Sequence, residues 1–137
     1  MLQVRLHYDK TIGPLIDGAI GYPVQLLQPG SVAPKSPTRF LTDTGSSRTF
    51  IHPSLVSALS LQWVARQAVW GMTGPADVDI YVGDVDLDGL GSFAGIQLYE
   101  MPKPSPVARY TAILGRDILD GGAVLLDGRT KELVITF

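Results

Sequence analysis

Cysteine is missing from this chain of 137 residues. Its absence excludes disulfide staples, thiolate nucleophiles and cysteine-based zinc sites. It leaves the compartment open, because a disulfide-free protein can live in either redox environment. Long apolar runs are missing too, and none approaches the ~18 residues needed to span a bilayer. The opening MLQVRLHYDK has no apolar stretch of the signal-peptide kind. A cytoplasmic setting is therefore the default expectation, unless flanking sequence in a longer protein carried a targeting signal. There is no excess of positive charge. The net charge is -2, from 11 basic and 13 acidic residues, which gives no electrostatic reason to expect a nucleic-acid partner. Histidine is scarce: His7 and His52 are the only two, too far apart in sequence to suggest a metal site. No metal or cofactor is expected.

What is present points to a globular all-β chain. Hydrophobic residues make up 45% and charged residues 18%, so a single domain over residues 1–137 can bury a core. The 15 glycines and 10 prolines are spread along the whole length and punctuate short apolar runs. No segment keeps helical periodicity for three turns, and no internal repeat is visible. Gln3–His7 alternates as a first strand. Leu15–Gly21 and Val24–Leu27 read as a strand pair, followed by a Pro-rich loop at Gln28–Pro37. Arg39–Thr42 reads as a strand leading into Asp43-Thr44-Gly45. Arg48–His52 reads as another, and Pro53–Leu59 as a short helix with proline at its start. Gln62–Gly71 and Val78–Leu90 flank the turn Met72-Thr73-Gly74-Pro75. Phe93–Tyr99 is a strand, Glu100–Ala108 a second Pro-rich loop and Tyr110–Leu114 an apolar strand. Arg116–Leu119 fits one helical turn. Ala123–Leu126 and Leu133–Phe137 flank Asp127-Gly128, a hairpin signal whose turn would need a positive φ.

The chemistry lies in Phe40-Leu41-Thr42-Asp43-Thr44-Gly45-Ser46-Ser47. An apolar strand runs into a turn that glycine allows to be sharp. The turn presents the Asp43 carboxylate at a strand end, and the Thr44 hydroxyl is placed to tie the turn to backbone. Taken alone, such a triplet is most simply a turn. Far downstream, Ile113-Leu114-Gly115-Arg116-Asp117-Ile118-Leu119 has the form apolar-apolar-Gly-Arg-(Asp/Asn)-apolar-apolar. Between the two lies Gly71-Met72-Thr73-Gly74, a glycine-bounded turn between long strands.

Taken together, these three features resemble the retropepsin-like aspartic proteases, over roughly residues 15–137. In that family an Asp-(Thr/Ser)-Gly turn is paired with the second motif, and a hairpin flap closes over substrate. The resemblance implies a closed barrel-like β lobe with a flap and one or two short helices. It also implies an endopeptidase in which two carboxylates share one proton. Like charges at that range cannot both ionise easily, so one acts as base on a water and the other polarises the scissile carbonyl. This chain has one Asp-Thr-Gly and is too short for two lobes. A homodimer is expected, with Asp43 from each copy.

The implied catalytic residues are Asp43, Thr44 and Gly45. Substrate, a peptide in extended form, would meet Ser46, Trp70, Gly71, Met72, Thr73, Gly74 and Ile113. Met72 is expected at the flap tip, and Ile51 and Ile113 in apolar pockets. Trp70 suits either a cleft contact or a core position on the flap's shoulder.

Two positions depart from the viral pattern. Ser46 stands where viral members usually have alanine, and its hydroxyl is expected to bond the dyad and favour the charged form. Arg116 loses its usual aspartate partner, because Ser47 occupies that position, and needs another acceptor. The terminal segments Met1–His7 and Leu133–Phe137 are candidates for an intersubunit sheet.

Other signals carry less. Asp84-Val85-Asp86-Leu87-Asp88-Gly89 opens like a calcium loop, but the twelfth position is Gly95 rather than a carboxylate. It reads instead as a strand with a solvated acidic face. There is no Gly-x-Ser-x-Gly elbow, and His52 before Pro53 suits a structural role, which disfavours a serine hydrolase. Lys103 and Arg109 read as solvated charges. The rival to an enzyme is a catalytically silent retropepsin-like dimerisation or peptide-binding module.

Overall fold

Alternating apolar and polar side chains set the chain into ten strands and two short helices in the computed structural model, which describes residues 1–71, 74–102, 104 and 109–137. The first half carries β1 (Gln3–His7), β2 (Leu15–Gly21), β3 (Lys35–Thr42), β4 (Phe50–Ile51), α1 (Pro53–Leu59) and β5 (Gln62–Gly71). The second carries β6 (Gly74–Leu87), β7 (Gly91–Glu100), β8 (Ala112–Leu114), α2 (Arg116–Leu119), β9 (Ala123–Asp127) and β10 (Glu132–Thr136).

Six strands close into a barrel in the order β2-β3-β8-β4-β7-β6, because Gly18–Gly21 of β2 also pair with Asp84–Leu87 of β6. Closure leaves no open edge on these strands to seek a partner. It depends on Gly18, where a Cβ would lie 1.9 Å from the Asp86 carbonyl oxygen. Ile16, Ile20, Phe40, Val85, Leu98 and Leu114 are buried inside. The core continues under a second sheet of order β1-β10-β9, whose Leu133 and Ile135 are fully buried.

Several local expectations change. Val24–Leu26 forms a turn of 3-10 helix rather than a strand, and β2 pairs with β3 instead. Pro23 restricts the approach, and the Val24 N–H donates to the Asp84 carboxylate at 3.1 Å. The strand expected from Arg39 already begins at Lys35. Pro37 is accommodated because β3 meets β8 only over Phe40–Thr42, so it has one neighbour at the proline. The expected strand Arg48–His52 pairs only over Phe50–Ile51, and that expected over Tyr110–Leu114 only over Ala112–Leu114. His52 instead caps α1, its Nδ1 accepting the Ser54 N–H at 3.0 Å.

Asp84 does not lie on a solvated face. It is buried and accepts the Gly95 N–H at 2.9 Å as well as that of Val24. At the β9–β10 turn the positive φ falls on Lys131 (56°), not on the Asp-Gly pair. The Asp127 carboxylate holds that turn by accepting the Arg129 N–H at 2.9 Å. That bond, with a second from the Thr130 N–H, holds its carboxyl below the usual value of 3.8.

The terminal strands pair inside the chain, against the expectation of an intersubunit sheet built from both. β1 pairs along its length with β10, and β10 pairs on its other side with β9. β10 therefore has both edges occupied. Among the described residues no helix is long and apolar enough to cross a membrane. Lys103 lies outside the described residues.

Candidate active site

Asp43 stands one residue beyond β3. Its N–H donates to the Leu114 carbonyl at 3.0 Å, which carries the parallel β3–β8 pairing one step past the strand end. The chain then turns back, with the Ser46 N–H donating to the Asp43 carbonyl at 3.2 Å. Inside that turn the Gly45 N–H donates to Asp43 Oδ1 at 2.9 Å. The half-buried carboxylate is thus aimed by its own loop, with Thr44 and Gly45 exposed beside it.

The second motif braces this turn. Gly115 passes so close to Arg48 that a Cβ would lie 2.2 Å from the Arg48 carbonyl oxygen. The Arg116 N–H donates to the Ser46 carbonyl at 2.8 Å, and Arg116 Nη1 donates to the Thr44 carbonyl at 2.9 Å. The acceptor left open by Ser47 is therefore backbone of the catalytic-type turn itself. Asp117 holds the adjoining segment. Its carboxylate accepts the Thr49 hydroxyl at 2.7 Å and the Thr49 N–H at 2.9 Å. The fully buried Thr49 in turn accepts the Gly115 N–H at 3.2 Å. Sequence reasoning missed Thr49, since nothing distinguishes it from any threonine at the start of a strand.

Ser46 corrects an expectation. Its hydroxyl donates to the Arg48 carbonyl at 2.7 Å, so its one proton is engaged there rather than on the Asp43 carboxylate. The donor to that carboxylate is the Gly45 N–H.

The hairpin of β5 and β6 runs as far as the pair Gly71↔Gly74. β7 joins β6 only from Ile80 onward, so Arg66–Gly71 and Gly74–Asp79 form strand pairs only with each other, with Val78 near the base still buried in a cluster with Ile80 and Tyr99. Near its base the Asp79 carboxylate accepts Trp63 Nε1 at 3.0 Å and Arg66 Nη1 at 3.1 Å. The indole bond, then the guanidinium, holds the Asp79 carboxyl below its usual value of 3.8. Trp70 is 83% exposed on this arm, which overturns the core alternative for it. Met72 and Thr73 lie outside the described residues. Ile113 is half-buried on β8, on the face opposite Ala112 and Leu114. Ile51 is 0% exposed, so it belongs to the core and not to a pocket wall.

Two surface hollows lie elsewhere. One of about 470 Å³ lies among Asp17, Arg39, Asp88 and Arg109, and one of about 300 Å³ among His7, Leu15 and Asp17. Neither includes Asp43, and the chemistry argued from its turn does not depend on them.

The sequence matches no family model and no curated protein. The structure is similar to solved ones. A retropepsin-like aspartic protease from Rickettsia conorii superposes with a TM-score of 0.64 at 12% identity, over 97% of this chain and 89% of that one. EIAV protease, solved with an inhibitor, superposes with a TM-score of 0.54 at 17% identity, over 85% of this chain and 93% of that one. At these identities the likeness speaks for the fold.

Proposed function

We propose that this chain, which has the retropepsin-like fold, is a single-domain aspartic endopeptidase active as a homodimer. The observation that carries the reading is the braced turn. Asp43 is oriented by the Gly45 N–H, while Arg116 and the Leu114 carbonyl fix the loop that bears it. A carboxylate held this way is preorganised for one geometry, which is what base catalysis on a positioned water needs. One chain supplies one such carboxylate, so the second comes from a second copy across a two-fold axis. The pair then shares one proton, one member ionised and one protonated. The ionised carboxylate takes a proton from water as it attacks the peptide carbonyl, and the protonated one donates to the carbonyl oxygen. The protruding β5–β6 arm acts as the flap. Exposed Trp70 and the backbone of Gly71 and Gly74 meet an extended peptide there, with Gly45, Ser46 and Ile113 on the floor.

The test is cleavage of a mixed peptide library between about pH 3 and pH 8, wild type beside Asp43→Asn. Cleavage that vanishes in the folded variant is expected. Cleavage that survives there removes Asp43 from the chemistry. A folded, dimeric wild type that cleaves nothing leaves the silent binding module as the reading.

A further inference from the structure

Ile113, Phe50 and Tyr99 stand in a row on three neighbouring strands. Phe50 registers with Ile113 of β8 on one side and with Tyr99 of β7 on the other. The Phe50 and Tyr99 rings meet at 5.6 Å. Ile113 belongs to the floor of the cleft proposed above. Tyr99 ends the row about 10 Å away at the usual strand spacing, and the β5–β6 arm comes down on it there. Ala65 and Val69 pack on the cluster of Val78, Ile80 and Tyr99, and Gln67 between them accepts the Tyr99 hydroxyl at 3.3 Å. Arg48 tops this end of the row. Its guanidinium carbon lies 5.6 Å from the centre of the Tyr99 ring. Its backbone is tied to the Asp43 turn, because its carbonyl accepts the Ser46 hydroxyl at 2.7 Å. The side chain is exposed and makes no ion pair among the described residues. The carboxylates of the neighbouring elements are turned elsewhere. Asp117 accepts the Thr49 hydroxyl and N–H. Asp79 registers with Arg66, on the face of the arm opposite Gln67. Glu100 follows Tyr99 and so faces the other side of β7. A forked cation, seated on an aromatic face and fixed beside the Asp43 turn, is left without an anion.

We infer that Arg48 sets the substrate class: peptides with an Asp or Glu side chain within about three residues of the bond that is cut, the length of extended chain that spans the row. The inference rests on the endopeptidase reading and names what that site accepts. An extended peptide between the arm and the floor covers Phe50 and Tyr99 and shields the guanidinium from water. A carboxylate placed there pairs with the fork through two charge-assisted hydrogen bonds. An amide of the same shape offers one acceptor and no charge, and leaves part of the fork unsatisfied under the peptide. Glutamate is therefore separated from glutamine at this position by charge rather than by size. The two-fold axis of the proposed homodimer repeats the arrangement, so an Arg48 stands on each side of the scissile bond. An acidic residue is accepted on either side of it.

The test is a set of peptide pairs that differ only by Glu or Gln at one position, at about pH 6, where a glutamate side chain is ionised. At one position on each side of the cut, wild type is expected to favour Glu over Gln by about tenfold in kcat/KM. In Arg48→Gln, whose fold is checked by circular dichroism, that ratio is expected to fall to about one. Arg48→Lys keeps the charge without the fork and is expected to restore part of it. A wild-type ratio of one at every position overturns the inference, and so does a preference that survives in Arg48→Gln. Binding separates this inference from the endopeptidase reading. The full-length Asp43→Asn chain is expected to hold a fluorescent Glu peptide more tightly than its Gln counterpart, and the added Arg48→Gln change is expected to erase the difference. A wild type that cleaves nothing while this binding difference is present removes the endopeptidase and keeps the role of Arg48. Cleavage without any difference between Glu and Gln, in rate or in binding, keeps the endopeptidase and removes that role.

Discussion

Asp43 accepts the Gly45 N–H while Ser46 turns its hydroxyl away to the Arg48 carbonyl. That division of labour decides what Ser46→Ala should do. One neutral hydrogen bond is lost, so unfolding becomes easier by about 1 kcal/mol. The pH profile of cleavage should stay where it is, because no bond to the carboxylate is removed. A profile displaced by a whole pH unit would mean that the hydroxyl reaches the dyad after all. Thr49 carries more. Thr49→Val leaves the Gly115 N–H without its acceptor and takes the hydroxyl donor from the Asp117 carboxylate, which keeps the Thr49 N–H. The cost should be on the order of 1–3 kcal/mol, read as a lower urea midpoint. At this scale the sequence was partly legible. Asp43, Gly115 and Arg116 announced themselves because few residue types suit a sharp turn, a close backbone approach or a forked donor. Thr49 and the carbonyls of Thr44, Leu114 and Arg48 did not. A backbone acceptor has no residue type, and a buried threonine looks like any strand threonine until its neighbours are known.

Among the elements, the β5–β6 arm stands apart because its outer half has no third strand. Two-stranded ribbons are marginal alone, so the side chains at the base matter. Asp79 grips Trp63 and Arg66 there, joining both strands of the arm. Asp79→Ala should speed amide exchange across Gln67–Gly71 and raise KM for peptides more than it lowers kcat. Exchange rates equal to wild type would show that the grip does not hold the arm. Strand identity was readable from apolar alternation, and the β5–β6 and β9–β10 hairpins from the turn sequences between them. Strand partners were not. β2 pairs with β3 and β6 rather than with Val24–Leu27, because Asp84, distant in sequence, captures the Val24 N–H. The acidic Asp84–Asp88 run misled for the same reason. A carboxylate that takes two backbone N–H groups in the fold is indistinguishable in sequence from one that faces water.

For the whole molecule, acid is the condition that tests the fold and the chemistry together. Asp79, Asp86, Asp127 and Glu132 are all held below their usual carboxyl values. For Asp86 the first cause is its bond to Lys35, at 2.6 Å, and for Glu132 it is the bond to Arg5. A carboxyl whose value is lowered by folding adds stability above its unfolded value, 3.8 for aspartate and 4.5 for glutamate. That contribution disappears as pH falls through the lower folded values. The melting temperature should therefore hold between pH 7 and pH 5 and fall between pH 4 and pH 2. Activity lost on the acid side must be compared with that curve before it is assigned to the dyad.

The pairing of β1 with β10 has a further consequence. Leu2 and Phe137 exchange two backbone hydrogen bonds of 2.8 Å, so the two chain ends lie side by side. A short linker could join them, and new ends could be opened in the exposed loop at Gln28–Ser31 without cutting a strand. In such a circular permutant the most distant contact along the chain becomes a local hairpin. Closing it would cost less chain entropy before the sheet could form, and the permuted protein should reach the same fold faster than the original.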